Sequence, residues 1–209
     1  MKHVYVIASI ITILLLITGF ALFYFYAQEV LKPNLYEKIE AVNSKITVLQ
    51  ILKDSNVPDF CSYYSVVSEE LSEDTWSLGN KLELLEQRGI DDSAFKRLYF
   101  DLELRDLVLS QYYEHTCNVS VNNVIFFYSN KGANRAISQA QGEHLLKFWN
   151  FCLSRKRSLR IFSFDSDYNT PTVNYLKHKY NINNSVAVII GNVSYDFLTF
   201  ERLKAMGMC

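Results

Sequence analysis

Asp165-Ser166-Asp167 places two carboxylates two residues apart, directly after the apolar run Leu159–Phe164. Paired carboxylates at the carboxyl end of a parallel strand can hold Mg²⁺ or a sugar nucleotide. They serve equally as turn and capping residues, and that is the expectation here. Lys131-Gly132 precedes a helical stretch but lacks the spaced glycines and the Gly-Lys-Ser/Thr ending of a phosphate loop, so it reads as a turn. Arg155, Lys156, Arg157 and Arg160 form the densest basic run. Such a run could meet anionic headgroups on the cytoplasmic side of a membrane; complementing the dipole of a helix C-terminus is its expected role. His115 and His144 have no partners at metal-ligand spacing, and Ser, His and Asp occur without a nucleophile-elbow glycine motif. No catalytic residue, cofactor site or metal site is assigned.

The four cysteines, Cys61, Cys117, Cys152 and Cys209, form neither a CxxC pair nor a zinc pattern. An oxidoreductase reading would have to use isolated Cys152 or Cys209, and a metal-dependent one the Asp165/Asp167 pair. The 209 residues carry 21 basic and 22 acidic side chains, which excludes bulk-charge recognition of nucleic acid. With the apolar N-terminus set aside, the rest is enough for one core or two small ones.

Val4–Ala27 contains no charged residue. Its 24 residues make roughly 36 Å of helix, more than the roughly 30 Å hydrocarbon core of a bilayer. Tyr5 and the Phe23–Tyr26 cluster stand where aromatic rings favour the headgroup boundary. The run is too long for a signal-peptide core, and a cut after Ala27 would put bulky Phe25 at a small-residue position, so an uncleaved anchor in the lipid bilayer is expected. Lys2 and His3 face Lys32, Lys38 and Lys45 across the span, a count that favours a cytoplasmic body. Sequons begin at Asn118, Asn183 and Asn192 and would matter only outside.

After Pro33, the stripe Leu35, Ile39, Val42, Ile46, Leu49 and Leu52 predicts a short amphipathic helix. It ends at Asp54–Pro58. Phe60, Tyr64, Val67, Leu71, Leu78, Leu82 and Leu85 predict a long helix, and Phe95, Leu98, Leu102, Leu109 and Tyr112 a second. Gly89 suits the cap between them and Asp91 or Asp92 the next N-cap, which makes an antiparallel hairpin. Taking Ile90 as the turn, Cys61 lies 29 residues before it and Cys117 27 after, so both reach the open end. A Cys61–Cys117 disulfide is expected, against the alternative of two unrelated buried thiols. Bonding would place the body in an oxidising, extracytoplasmic compartment. Asp74 and Arg105 interrupt the two apolar seams at corresponding levels and are expected to form an ion pair; the alternative is that Asp106 takes the helix face and both charges point to water.

From Val121 the period changes. Asn123–Ser129 and Leu159–Phe164 read as strands, with a helix over 136–153 between them. A helix opened by Pro171 follows, then a strand over 186–190, a Gly191-Asn192 turn, a strand over 193–198 and a last helix from Phe200. This βαβαββα order resembles the thioredoxin fold. The resemblance implies a redox CxxC at the start of the first helix and a cis-proline before the third strand. Asn130, Lys131, Gly132, Ala133, Asn134 and Arg135 occupy the first place and Val186 the second. Neither hallmark is present, so the dithiol chemistry is not carried over.

The expected organisation is a transmembrane anchor (1–28), a connecting helix (29–57), a helical hairpin (58–120) and an α/β thioredoxin-like domain (121–209). As a whole it is similar to membrane-tethered thioredoxin-like proteins, and the expected role is redox-inactive binding of another protein or a peptide. The other readings are an oxidoreductase or metal-dependent enzyme, and a structural membrane spacer.

Overall fold

The computed structural model describes residues 2–26, 32–55, 59–88 and 93–209. Ala27 and the expected caps at Gly89 and at Asp91 or Asp92 lie outside them. The chain divides into two compact units, Met1–Ala41 and Val42–Cys209. Helix α1 (Lys2–Tyr26) contains one stretch, Tyr5–Tyr26, long and apolar enough to cross a membrane. Its 22 residues make about 33 Å. Large apolar side chains such as Ile10, Ile13 and Leu16 are exposed on it, and Thr12 and Thr18 donate to the carbonyls of Ala8 and Leu14 within the helix, an arrangement compatible with a lipid-facing surface.

Helix α2 (Lys32–Asp54) ends in the second unit, where Val42, Ile46 and Leu49 are buried. Helices α3 (Phe60–Gln87) and α4 (Ser93–Cys117) pack on one another. Every apolar residue expected on the α3 stripe is buried. The far end of the pair is closed by the Cys61–Cys117 disulfide (Cα–Cα 5.7 Å) and by the stacked rings of Tyr64 and Tyr113, 4.4 Å apart.

Two expectations about this region are corrected. Asp74 and Arg105 do not pair with each other. Lys45 of α2 donates to Asp74 at 2.7 Å, and Arg105 donates to Asn43, Thr47 and Gln50 of α2. The levels correspond as anticipated, but a third helix supplies polar partners to both interruptions, so neither has to reach the other or turn to water. The α4 stripe also differs: Leu98 is 43% exposed, whereas Lys96, Tyr99, Glu103, Asp106 and Ser110 are buried. The reason is that α4 is covered on two sides, by α3 and by the sheet.

The sheet has the order β2-β1-β3-β4. Strand β1 (Asn122–Tyr128) is internal, parallel to β2 (Leu159–Asp165) and antiparallel to β3 (Ala187–Ile190), which pairs antiparallel with β4 (Val193–Tyr195). Val124–Phe127 are buried, as a continuous apolar strand demands. Gly191 turns the β3–β4 hairpin at φ +62°, a conformation that suits glycine. Helix α5 (Asn134–Ser154) crosses from β1 to β2, α6 (Pro171–Lys179) precedes β3, and α7 (Phe200–Ala205) follows β4. Thr170 caps α6 through Val173 N, with Pro171 at the first helical position. Phe148, Leu145 and Cys152 of α5 meet Val124, Val188 and Leu203 in one core. Cys152 and Cys209 are not isolated: they are bonded to each other, with Cα atoms 5.2 Å apart.

Each disulfide closes a loop of more than fifty residues (separations of 56 and 57), the range in which cross-links constrain the unfolded chain strongly. Thiol labelling of the denatured, unreduced protein should therefore modify no cysteine. Replacing Cys61 and Cys117 together by serine should cost about 2–5 kcal/mol in denaturant unfolding.

Candidate functional site

The loop between β1 and α5 stands where the family resemblance puts redox cysteines. Its first residue faces inward: Asn130 Nδ2 donates to Glu86 of α3 at 2.9 Å, and its backbone N–H donates to Asp167. Ser129 donates to both oxygens of Asp167. Lys131, Gly132, Ala133 and Arg135 are exposed, and Gly132 takes φ +54°. Asn134 and buried Val186 come together in the lining of a cavity of about 870 Å³, beside Ile137 and Phe197. Asn130 belongs to a different site.

Asp165 and Asp167 are likewise occupied. Lys96 of α4 donates to Asp165 at 2.9 Å and to Glu86 at 2.6 Å, and its ammonium lies 4.6 Å from the centre of the Tyr168 ring. Burial pushes the Asp165 carboxyl up and Lys96 opposes that shift. Among the described residues no group of three or more His, Cys, Asp or Glu side chains could hold a metal ion. Asp165 ties the α3–α4 hairpin to the carboxyl end of the sheet through Lys96 and accepts from Asp167 N in the turn, whereas Asp167 holds the start of the β1–α5 loop.

A second buried network lies further along α4. Arg160 of β2 donates to Asp106 Oδ2 and, at 3.1 Å, to the Tyr64 hydroxyl. Burial drives the Tyr64 phenol up to about 12, against the pull of Arg160. One turn back, Tyr99 donates to Glu103. Burial pushes Glu103 up to about 8 although Tyr99, Arg160 and Ser163 favour its charged form. Asp106 Oδ1 is buried without a partner.

Tyr99, Glu103, Asp106 and Arg160 form the inner wall of a cleft of about 640 Å³. One side is α3, with Glu73, Trp76, Gly79 and Glu83; the other is α5, with Glu143, Leu146 and Trp149; between them run Arg160–Ser163 of β2. Trp76 is 62% exposed at the rim, and Trp76 and Trp149 are the only two tryptophans of the chain. Gly79 is required by close approach, since a Cβ there would stand 2.8 Å from the Tyr99 hydroxyl. The lining is aromatic and acidic: its single cation, Arg160, is committed to Asp106.

None of Glu103, Asp106, Lys96, Gly79, Trp76 or Trp149 was among the residues expected to form a site. The signal is present, because Lys96, Tyr99, Glu103, Asp106 and Ser110 recur at gaps of 3, 4, 3 and 4 on α4, a helical stripe beside the apolar one. Arg160, read as part of the surface run Arg155–Arg160, is the member of that run that turns inward.

Two measurements check these assignments. An acid raised from 4.5 to about 8 keeps its proton in the folded state where the unfolded chain has lost it, so the associated stability is present at acid pH and is lost as pH rises towards 8. The urea midpoint of the wild type should thus fall between about pH 5 and pH 8. Glu103→Gln should flatten that fall. Separately, Arg160→Met should destabilise by about 3–5 kcal/mol by stranding buried Asp106, and Asp106→Leu in the same chain should recover much of the loss.

Comparison with protein-family models, with curated proteins and with solved structures found no match, so the reading of the cleft rests on its own residues.

Proposed function

We propose that the chain is a membrane-tethered, redox-inactive protein whose C-terminal part is thioredoxin-like and binds another protein or a peptide. The strand order β2-β1-β3-β4, parallel in its first pair and antiparallel in the others, supports the fold reading. The observation that carries the function is the cleft. Large apolar side chains at a concave rim mark interaction sites, and here exposed Trp76 and Leu146 and half-buried Trp149 line the space.

Against the oxidoreductase alternative, Cys152 and Cys209 are bonded to each other rather than isolated, and Cys61 and Cys117 form the other bond. Against the metal alternative, Asp165 is held by Lys96, and Asp167 by Ser129 and Asn130. Two disulfides also favour an oxidising compartment for residues 42–209, with Tyr5–Tyr26 as the anchor.

The protein should give no insulin reduction above a no-protein control. Crosslinking in native membranes should capture a discrete partner that is lost when Val121–Cys209 is deleted and kept when Val4–Ala27 is replaced by an unrelated apolar span. A partner that follows the anchor, or none, would favour the spacer reading. Protease added to intact cells should digest residues 42–209; protection would overturn the extracytoplasmic assignment.

A further inference from the structure

The cleft runs along a strand edge. In the parallel β1–β2 ladder, Asn122 N donates to Ser158 O and Ser166 N donates to Tyr128 O, so the even-numbered residues of β2 direct their backbone groups at β1. The odd-numbered ones, Leu159, Ile161, Ser163 and Asp165, direct theirs away from the sheet. Among the described residues no hydrogen bond reaches the backbone of Ile161, which lies in the cleft lining midway along β2. An unpaired backbone N–H and C=O of this kind form a template for another strand.

The charge of the cleft selects what that strand carries. Glu73 and Glu83 on α3 and Glu143 on α5 line its walls, and Asp106 Oδ1, buried and without a partner, belongs to the same lining. An acceptor left open in this way calls for a donor, and a cation beside the faces of Trp76 and Trp149 gains further from their π-systems.

Resting on the binding reading above, we propose that the cleft takes an extended segment of another protein, with lysine or arginine alternating with apolar residues, as an added strand on β2. Backbone bonds to Ile161 supply the strand pairing, the carboxylates select the cations, and the tryptophans cover the apolar side chains.

Because both tryptophans line the cleft, tryptophan fluorescence of the full chain in detergent micelles, excited selectively beyond the tyrosine absorption band, reports on it. The probe is a Lys-Val-Lys-Val-Lys-Val peptide, compared with a Glu-Val counterpart and with a Lys-Val peptide methylated on alternate backbone nitrogens. The expected result is a saturable change with the Lys-Val peptide only. Glu73→Gln with Glu143→Gln should weaken it about tenfold or more. Ile161→Pro, which removes an outward N–H and no ladder bond, should do the same with an unchanged circular dichroism spectrum.

Equal binding of the Glu-Val peptide would overturn the cationic selection, and equal binding of the methylated peptide would overturn strand addition, whether or not Ile161→Pro folds. A concentration-dependent dimer abolished by Ile161→Pro would make a second copy of this chain the occupant and overturn the proposal. Silence with every peptide would overturn it too. A crosslinked partner that still depends on Val121–Cys209 would then leave the broader binding reading standing.

Discussion

The structure turns on α4 being buried from two sides. A helix with one face on a core can leave its other face polar and wet, but α4 lies between α3 and the sheet, so both its stripes leave water. One stripe is apolar. The other carries Lys96, Tyr99, Glu103, Asp106 and Ser110, and each of these must find a partner in the dry or cost the desolvation of a polar group. The partners come from elements distant in sequence: Asp165 and Arg160 from β2, Asn123 from β1 and Glu86 from α3. Such pairs add little to stability in themselves, yet mispairing would strand charges. They therefore fix the register of hairpin on sheet more than they strengthen it.

That register produces the cleft. Lys96, Glu86 and Asn130 hold the hairpin at the carboxyl end of the sheet, and Arg160 with Asp106 and Tyr64 holds it further along β2. The Cys61–Cys117 bond keeps the outer end of α3 beside α4. Between these ties α3 cannot close onto α5, and the space left open is floored by the edge of β2. Gly79 sets how near α3 comes to Tyr99, and any side chain there would act first on the Tyr99–Glu103 contact.

Much of this framework is legible in the sequence, and what is not follows a physical rule. Asn123–Ser129 reads as a buried strand because burial on both faces selects an unbroken apolar run. The hairpin register can be counted because helical rise is constant, which brings Cys61 to Cys117. Periodicity reports which side chains share a face and nothing about what covers it. Seam level alone matches the Asp74 and Arg105 interruptions to each other, whereas Asn43, Thr47 and Gln50 form their own helical stripe on α2 and take Arg105. Asp106 and Arg160, 54 residues apart, give no local sign of their pairing. Trp76 and Trp149 meet at one cleft only once the sheet and the hairpin are docked.

The two edges of the sheet are treated differently, and that difference bears on what the cleft can accept. Strand β4 has three residues, Val193–Tyr195, and offers little to pair with. Strand β2 has seven, a length that natural sheets guard against self-association. The guard is chemical: Glu73, Glu83 and Glu143 line the cleft on either side of the strand. Two copies brought edge to edge would set like charges against each other in a partly desolvated space, whereas a basic strand would find those charges complementary. The acidity that keeps this edge from its own kind is the same property that would admit a cationic partner.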